Sequence, residues 1–245
     1  MVEGDTHLVA SGHVTAAPEG WQVSLNATVD EVSPSRVVEL WPAAVKPGSR
    51  QWLLDNVSSG VLTDTRVDLR ATQGQKPVIA VRYEFSDATA RFMRSMPLMQ
   101  GASGVGVIQD NQMILALDQG RVPAPQGGSV DLRGSSLVIL DTRVRGGDAK
   151  LDLHMDGTIT ATLALLDQEP FRFISKAGQV VSLADGRAVV QGDLQFPLRK
   201  GGSPSDVQFD ITAQLRNVRS DTLIKGRRLT ASKLDLTANR EGLQI

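Results

Sequence analysis

Histidine and carboxylate side chains are the residues of this chain best suited to bind a metal or transfer a proton. His7 and His13 lie six residues apart in an alternating segment. On an extended strand that spacing separates them by ~20 Å, too far to share a metal ion. Asp152, His154 and Asp156 alternate, so a strand would present all three on one face. Because a solvated strand face is commoner than a weak metal site of this kind, we expect no metal.

The motifs of common enzyme classes are missing. The chain has no cysteine, which excludes thiolate nucleophiles, zinc-thiolate sites and disulfides. It also lacks the G-x-S-x-G turn of serine hydrolases. The glycine-rich segment 101–106 has neither dinucleotide-binding nor P-loop spacing, and it favours a hairpin loop or bulge over a phosphate cradle. We therefore predict a non-catalytic protein without a cofactor.

Charge gives no sign of a nucleic-acid partner. The 26 basic and 27 acidic residues leave a net charge of −1, and aromatic residues make up only 4%. Such a chain has no strong attraction for duplex DNA and few rings for base stacking. One basic cluster stands out, and we interpret it as a solvent-exposed loop: Arg216, Arg219, Lys225, Arg227 and Arg228.

Alternation with a period of two dominates the chain. Trp21, Val23 and Leu25 are separated by polar residues, which is typical of a strand with one apolar face. The pattern recurs about eleven times, between Gly, Asp, Asn and Pro turn signals. The sequence therefore predicts a mainly β fold, a long curved antiparallel sheet with two or three short helices.

Three segments favour helix. Ser33 and Pro34 form an N-cap and a first-turn proline before residues 36–40. A second helix is predicted at 47–57. The segment 158–174 fits both periods, and its length favours a helix capped by Asp156.

So much apolar strand must be buried against something. Two arrangements remain open. The sheet could fold into a two-layered sandwich, which composition alone favours, or it could curve into a trough filled by another apolar body.

A dispersed motif resembles a known family. Its residues are Leu40, Trp41, Pro42, Pro47, Arg50, Trp52, Leu53, Asn56 and Gly60, followed in order by Phe85-Ser86-Asp87, Met96-Pro97-Leu98, Gly101, Gly104, Val130-Asp131-Leu132, Leu137–Asp141, Leu153–Gly157, Ala164–Asp167 and Phe196-Pro197-Leu198. The pattern is similar to AsmA-like proteins of the YhdP type, relatives of TamB, from Gram-negative envelopes. It covers about residues 35–200, and the Trp-Pro and Arg-x-Trp part is its most specific element.

The resemblance implies a periplasmic lipid-transport protein that maintains the envelope and outer membrane. Phospholipid acyl chains would be its ligand. Inner and outer membranes would be reached through parts outside this segment, including an inner-membrane anchor, and other envelope proteins are possible partners. Residues 1–245 would then be one β-groove segment of a longer chain.

The residues expected to line the groove are aliphatic or aromatic positions on predicted strands: Trp21, Val23, Leu25, Val67, Leu69, Ile79, Val81, Phe85, Phe209 and Ile211. An alternative function is a structural or assembly scaffold whose sheet edges pair with strands of other envelope proteins.

Overall fold

The computed structural model describes residues 6–18, 20–41, 43, 46–91, 95–169, 172–199, 206–224 and 226–244. The strands are β1 Leu8–Ala17, β2 Gly20–Val32, β3 Val57–Thr72, β4 Val78–Ala90, β5 Met99–Gln109, β6 Gln112–Pro123, β7 Ser129–Asp131, β8 Ser136–Ile139, β9 Asp148–Thr158, β10 Asp185–Pro197, β11 Gln208–Ile224, β12 Arg227–Asn239 and β13 Gly242–Gln244. The helices are α1 Pro34–Leu40, α2 Pro47–Asn56, α3 Ile159–Leu166 and α4 Phe173–Lys176. The predicted mainly β fold is confirmed, with four short helices where two or three were expected.

The strands form one antiparallel sheet. Its order follows the chain from β1 to β7 and from β9 to β13, while β8 pairs beside that path with β6 and β9. Consecutive strands therefore pair with each other, as in a meander. Among the described residues β1 pairs only with β2 and β13 only with β12, so these two strands form the opposite ends of the path.

The pairing register separates the side chains onto two faces. Residues directly opposite in an antiparallel pair point to the same side of a sheet. One apolar row crosses seven strands in this way, through Tyr83, Gly106, Leu115, Leu137, Leu151, Leu194 and Phe209. The alternation seen in the sequence thus becomes one apolar face that continues from strand to strand.

The sheet is largely a single layer. The chain exposes 15658 Å² to solvent, whereas a compact protein of this mass exposes about 10,600 Å². The described residues form no second sheet across the apolar face. The two-layered sandwich favoured by composition is therefore not what these residues build.

The helices begin where short-range signals place them. The Ser33 hydroxyl accepts a hydrogen bond from the Arg36 amide, and Pro34 begins α1. The third helix is shorter than expected and begins differently, because Thr158 rather than Asp156 supplies its N-cap oxygen to the Ala161 amide. Asp156 lies within β9 instead.

The helices α1 and α2 contact each other and β3. Arg50 Nε donates to the Val38 carbonyl at 3.2 Å, so this residue of the family-like motif joins the two helices. Trp52, another residue of that motif, is 43% exposed. Pro42 lies outside the described residues.

Most of the buried core lies under α3. Ile159, Ala161 and Leu165 of this helix belong to a cluster of buried residues with Met155 and Val190. The helix contacts β7, β9 and β10. Burial is therefore concentrated near the middle of the strand order.

Three carboxylates lie directly opposite one another on the polar face. Asp193 pairs with Asp152 on one side and with Asp210 on the other. Like charges in this arrangement repel each other. We expect Asp193→Asn to raise the free energy of unfolding by about 0.5 kcal/mol, measured by urea denaturation at low salt.

The matched control for this prediction is Asp156→Asn on the same face. It removes an ion pair in which the Arg187 Nη2 to Asp156 Oδ1 distance is 2.5 Å. That variant should be neutral or slightly less stable. Loss of stability in Asp193→Asn would show that the row is not repulsive.

Candidate functional site on the apolar face

The register places the ten predicted lining residues on one face of the sheet. Leu25 lies opposite Leu69, which lies opposite Ile79. Val67 lies opposite Val81. The remaining members alternate with these along their strands or belong to the seven-strand row described above: Trp21, Val23, Phe85, Phe209 and Ile211. They therefore form one surface, although they come from four separate parts of the sequence.

The part of this face on β1 to β4 is open. Trp21 is 45% exposed and Leu25 is 37% exposed. Val67, Leu69 and the other lining residues of these strands are half-buried. In the described part of the chain α1 and α2 contact β3, whereas no helix makes more than minor contacts with β1 or β2. We call this region, the apolar side of β1 together with Trp21–Leu25, Val67–Leu69 and Ile79–Val81 of the three neighbouring strands, the open wing.

The part of the face on β9 to β11 is covered. The Phe173 ring of α4 lies 6.0 Å from the Phe209 ring, measured between centroids. Ile211 and Phe85 pack against the buried cluster beneath α3. These three lining residues are therefore held by the protein itself, unlike those of the open wing.

The sequence interpretation missed the middle of the face. The apolar side chains there are Ile108, Met113, Leu115, Leu137, Ile139, Leu151 and Leu194. Their alternation was visible along β6 and β9. Only the register shows that they continue the same surface as Val81.

Two glycines of β5 lie beneath aromatic rings. A Cβ atom on Gly106 would meet the Tyr83 ring at 2.1 Å, and one on Gly104 would meet Phe85 at 3.0 Å. Register shifts at Ser103 show that the glycine-rich segment is a bulged strand. The absence of side chains at these two positions leaves room for the rings over β5.

The short helix α4 is held by one carboxylate. Asp167 Oδ1 accepts hydrogen bonds from the Ile174 amide at 3.0 Å and from the Ser175 amide and hydroxyl at 2.8 and 3.0 Å. These bonds, the Ser175 amide first, lower the pKa of the Asp167 carboxyl from its ordinary value of 3.8. The stabilisation is present above that ordinary value and is lost as the pH falls through the lowered pKa.

Removal of this carboxylate should release α4. A four-residue helix has no stability of its own, so we expect Asp167→Ala to raise amide hydrogen exchange in residues 173–178 by about tenfold or more. The Phe209 ring should become more exposed. Asp141→Ala is the control, because Asp141 pairs with Arg143 in a different turn. Unchanged hydrogen exchange in residues 173–178 would show that Asp167 does not hold α4 in place.

The polar face carries the residues that could have done chemistry. His154 Nε2 lies 3.2 Å from Asp152 Oδ1, and Asp156 pairs with Arg187 instead. Two shallow depressions of about 430 and 270 Å³ border His154 on this face. Within the described ranges, His, Asp and Glu side chains form no group of three arranged to hold a metal.

The basic cluster lies on strands rather than in a loop. Arg216 and Arg219 belong to β11, while Arg227 and Arg228 belong to β12. All four are exposed, and Arg228 Nε lies 2.8 Å from Asp221 Oδ1. The expectation of a loop was wrong because the segment continues the strand pairing up to Arg227. Lys225 lies outside the described residues.

Among the helices of the described residues, none has the length and apolarity needed to span a bilayer. Comparison with protein families, with curated proteins and with solved structures found no match.

Proposed function

We propose that this chain is a non-catalytic lipid-binding groove segment of an inner-membrane-anchored, AsmA-like protein. It would take part in phospholipid transport across the periplasm, between the inner and outer membranes, and so in envelope integrity. The observation that supports the proposal is the open wing: a continuous apolar surface in a single-layered sheet, with Trp21 and Leu25 exposed.

The energetics of the open wing favour acyl chains. Burial of one CH₂ group is worth about 0.8 kcal/mol, so several methylenes of a lipid tail laid across β1–β4 would give useful affinity. The side chains on this surface offer no charge to orient the ligand. A surface of this kind binds hydrocarbon by area rather than by shape, which suits a ligand that has to move along it.

The arrangement of the faces is suited to an aqueous compartment. Polar and charged side chains such as Arg66, Asp68 and Arg70 alternate with the apolar ones and point to the opposite side of β3. The sheet can therefore stay hydrated on one side while its other side holds lipid.

Mass spectrometry of an organic extract of the purified protein tests the proposal. We expect phospholipid to be recovered from the native protein, and none after the protein has been stripped with detergent and exchanged into buffer. Fluorescent phospholipid added to the stripped protein should rebind and should be displaced by unlabelled phospholipid. A native sample without lipid, together with a stripped sample that does not rebind it, would refute the groove.

The scaffold alternative is favoured by a different observation, the free outer side of β1. A scaffold acting through its edge needs no bound lipid. Recovery of stoichiometric lipid from the purified chain therefore supports the groove, and a lipid-free chain that captures strands of envelope proteins supports the scaffold.

A further inference from the structure

The first strand is an unprotected sheet edge. Among the described residues, Leu8–Ala17 pair with β2 alone, so the other side of the strand is free. The strand contains no Lys, Arg, Asp, Glu or Pro, although these are the residues that normally shield an edge from further pairing. Leu8 and Val14 are 51% and 71% exposed. A ten-residue uncharged edge with exposed aliphatic side chains is well suited to pair with another strand.

The opposite end of the sheet is protected in the expected way. The strand β13 pairs with only Thr237–Asn239 of β12. The rest of β12 presents an outer side that carries Arg227, Arg228, Lys233 and Asp235. Charged residues of this kind resist edge pairing. The contrast between the two ends indicates that β1 in particular is built to be paired.

We propose that β1 pairs antiparallel with β1 of a second copy of this chain, which makes a symmetric dimer with one continuous sheet. The segment can complement itself. With Ser11 opposite Ser11 of the second copy, Leu8 lies opposite Val14 and Ala10 opposite Gly12, so even-numbered residues of the apolar face meet each other. No like charges are brought together. The two apolar faces then join on the same side of the combined sheet.

The backbone of β1 is oriented for this pairing. The Asp30 amide donates to the His7 carbonyl at 3.3 Å, so the odd-numbered residues direct their polar groups toward β2. In a strand the even-numbered residues then direct theirs outward. The proposed register pairs even with even and forms about eight intermolecular hydrogen bonds, which falls within the range of ordinary protein interfaces.

Single cysteines test the register, because the chain has none of its own. In the proposed dimer, the Cα atoms of Ser11 and its copy lie about 4.5 Å apart, within reach of a disulfide. The two Thr15 residues lie about 26 Å apart, although they occupy the same face of the strand. Under mild oxidation we expect Ser11→Cys to give a covalent dimer and Thr15→Cys to remain monomeric. Equal crosslinking of both variants, or none in Ser11→Cys, would overturn the proposal.

Sedimentation velocity tests the edge itself. At a protein concentration of tens of micromolar, the unmodified chain should sediment as a species of twice its mass of 26.3 kDa. Ala10→Pro removes an outward amide and keeps the bonds to β2, so it should weaken the dimer by about tenfold or more. Ala10→Thr keeps that amide and should dimerise normally. A monomeric parent chain, or a dimer unaffected by Ala10→Pro, would overturn the proposal. Neither readout involves lipid, so the result is separate from the fate of the groove.

Discussion

A glutamate at position 25 should abolish lipid binding and leave the protein folded. Leu25 lies on the open wing, and its side chain is 37% exposed, so the carboxylate can remain hydrated when no lipid is bound. Binding an acyl chain over it would strip that hydration at a cost of several kcal/mol. We expect Leu25→Glu to reduce recovered lipid by about tenfold or more. Its free energy of unfolding should change by about 1 kcal/mol or less.

The same charge on the covered part of the face should instead lower the stability of the protein. Ile211 packs against the buried cluster, and its side chain lies over Gly192. Ile211→Glu would place a carboxylate among apolar atoms with no partner. We expect it to lose about 3 kcal/mol or more of stability. Circular dichroism during urea unfolding measures this loss for both variants.

Ser24→Glu is the matched control for the lipid experiment. Ser24 is the neighbour of Leu25 on β2, points to the polar face and lies opposite Arg70. The Ser24→Glu substitution adds the same charge at the same place along the strand, and lipid recovery from this variant should be normal. Equal loss of lipid in Ser24→Glu and Leu25→Glu would show that the charge acts at a distance and that the open wing is not the binding surface.

Alanine at position 104 should be the most damaging single-atom addition in the sheet. A Cβ atom there would lie 1.9 Å from the Ala116 carbonyl oxygen, which belongs to the backbone of β6. The backbone of a paired strand cannot move aside without losing its hydrogen bonds. We expect Gly104→Ala to lower the free energy of unfolding by about 2–4 kcal/mol, measured by urea denaturation with detection of tryptophan fluorescence.

Two other glycines provide the comparison. Gly106→Ala meets the Tyr83 ring, a side chain that can rotate away, so its cost should be smaller than that of Gly104→Ala. Gly48 lies in the first turns of α2 with nothing near its missing Cβ. Gly48→Ala should therefore stabilise the protein by about 0.5–1 kcal/mol. If Gly104→Ala were as mild as Gly106→Ala, the close approach of β5 and β6 would be wrong.

Local signals accounted for most of the secondary structure, although the helix predicted over 158–174 is divided into the shorter α3 and a separate α4. The alternation around Val23 and Ile211 predicted strands that the structure contains, and Ser33 with Pro34 predicted the beginning of α1. These features depend on neighbours within a few residues. The cap of α3 was misassigned to Asp156, because β9 continues two residues further than the sequence indicates and leaves Thr158 at the boundary.

The location of the site could be predicted only in part from these local signals. The ten lining residues were chosen as apolar members of alternating strands, and alternation cannot say which strands are covered. The structure divides them into an open group that includes Leu25 and a covered group that includes Phe209 and Ile211. The structure also adds the apolar residues in the middle of this face, which can be recognised only from the register of strands far apart in the chain.

The sequence by itself therefore determined that this protein is a sheet with one apolar and one polar side, because the direction of a strand side chain depends only on its position in the two-residue repeat. The tertiary structure decided that the sheet stays largely single-layered, that α3 and α4 lie over β7 and β9–β11, and that β1 is left as an edge of the described sheet. Those outcomes depend on which distant segments pair and on the position of the helices over the sheet, and such long-range contacts leave no periodic signal in the chain.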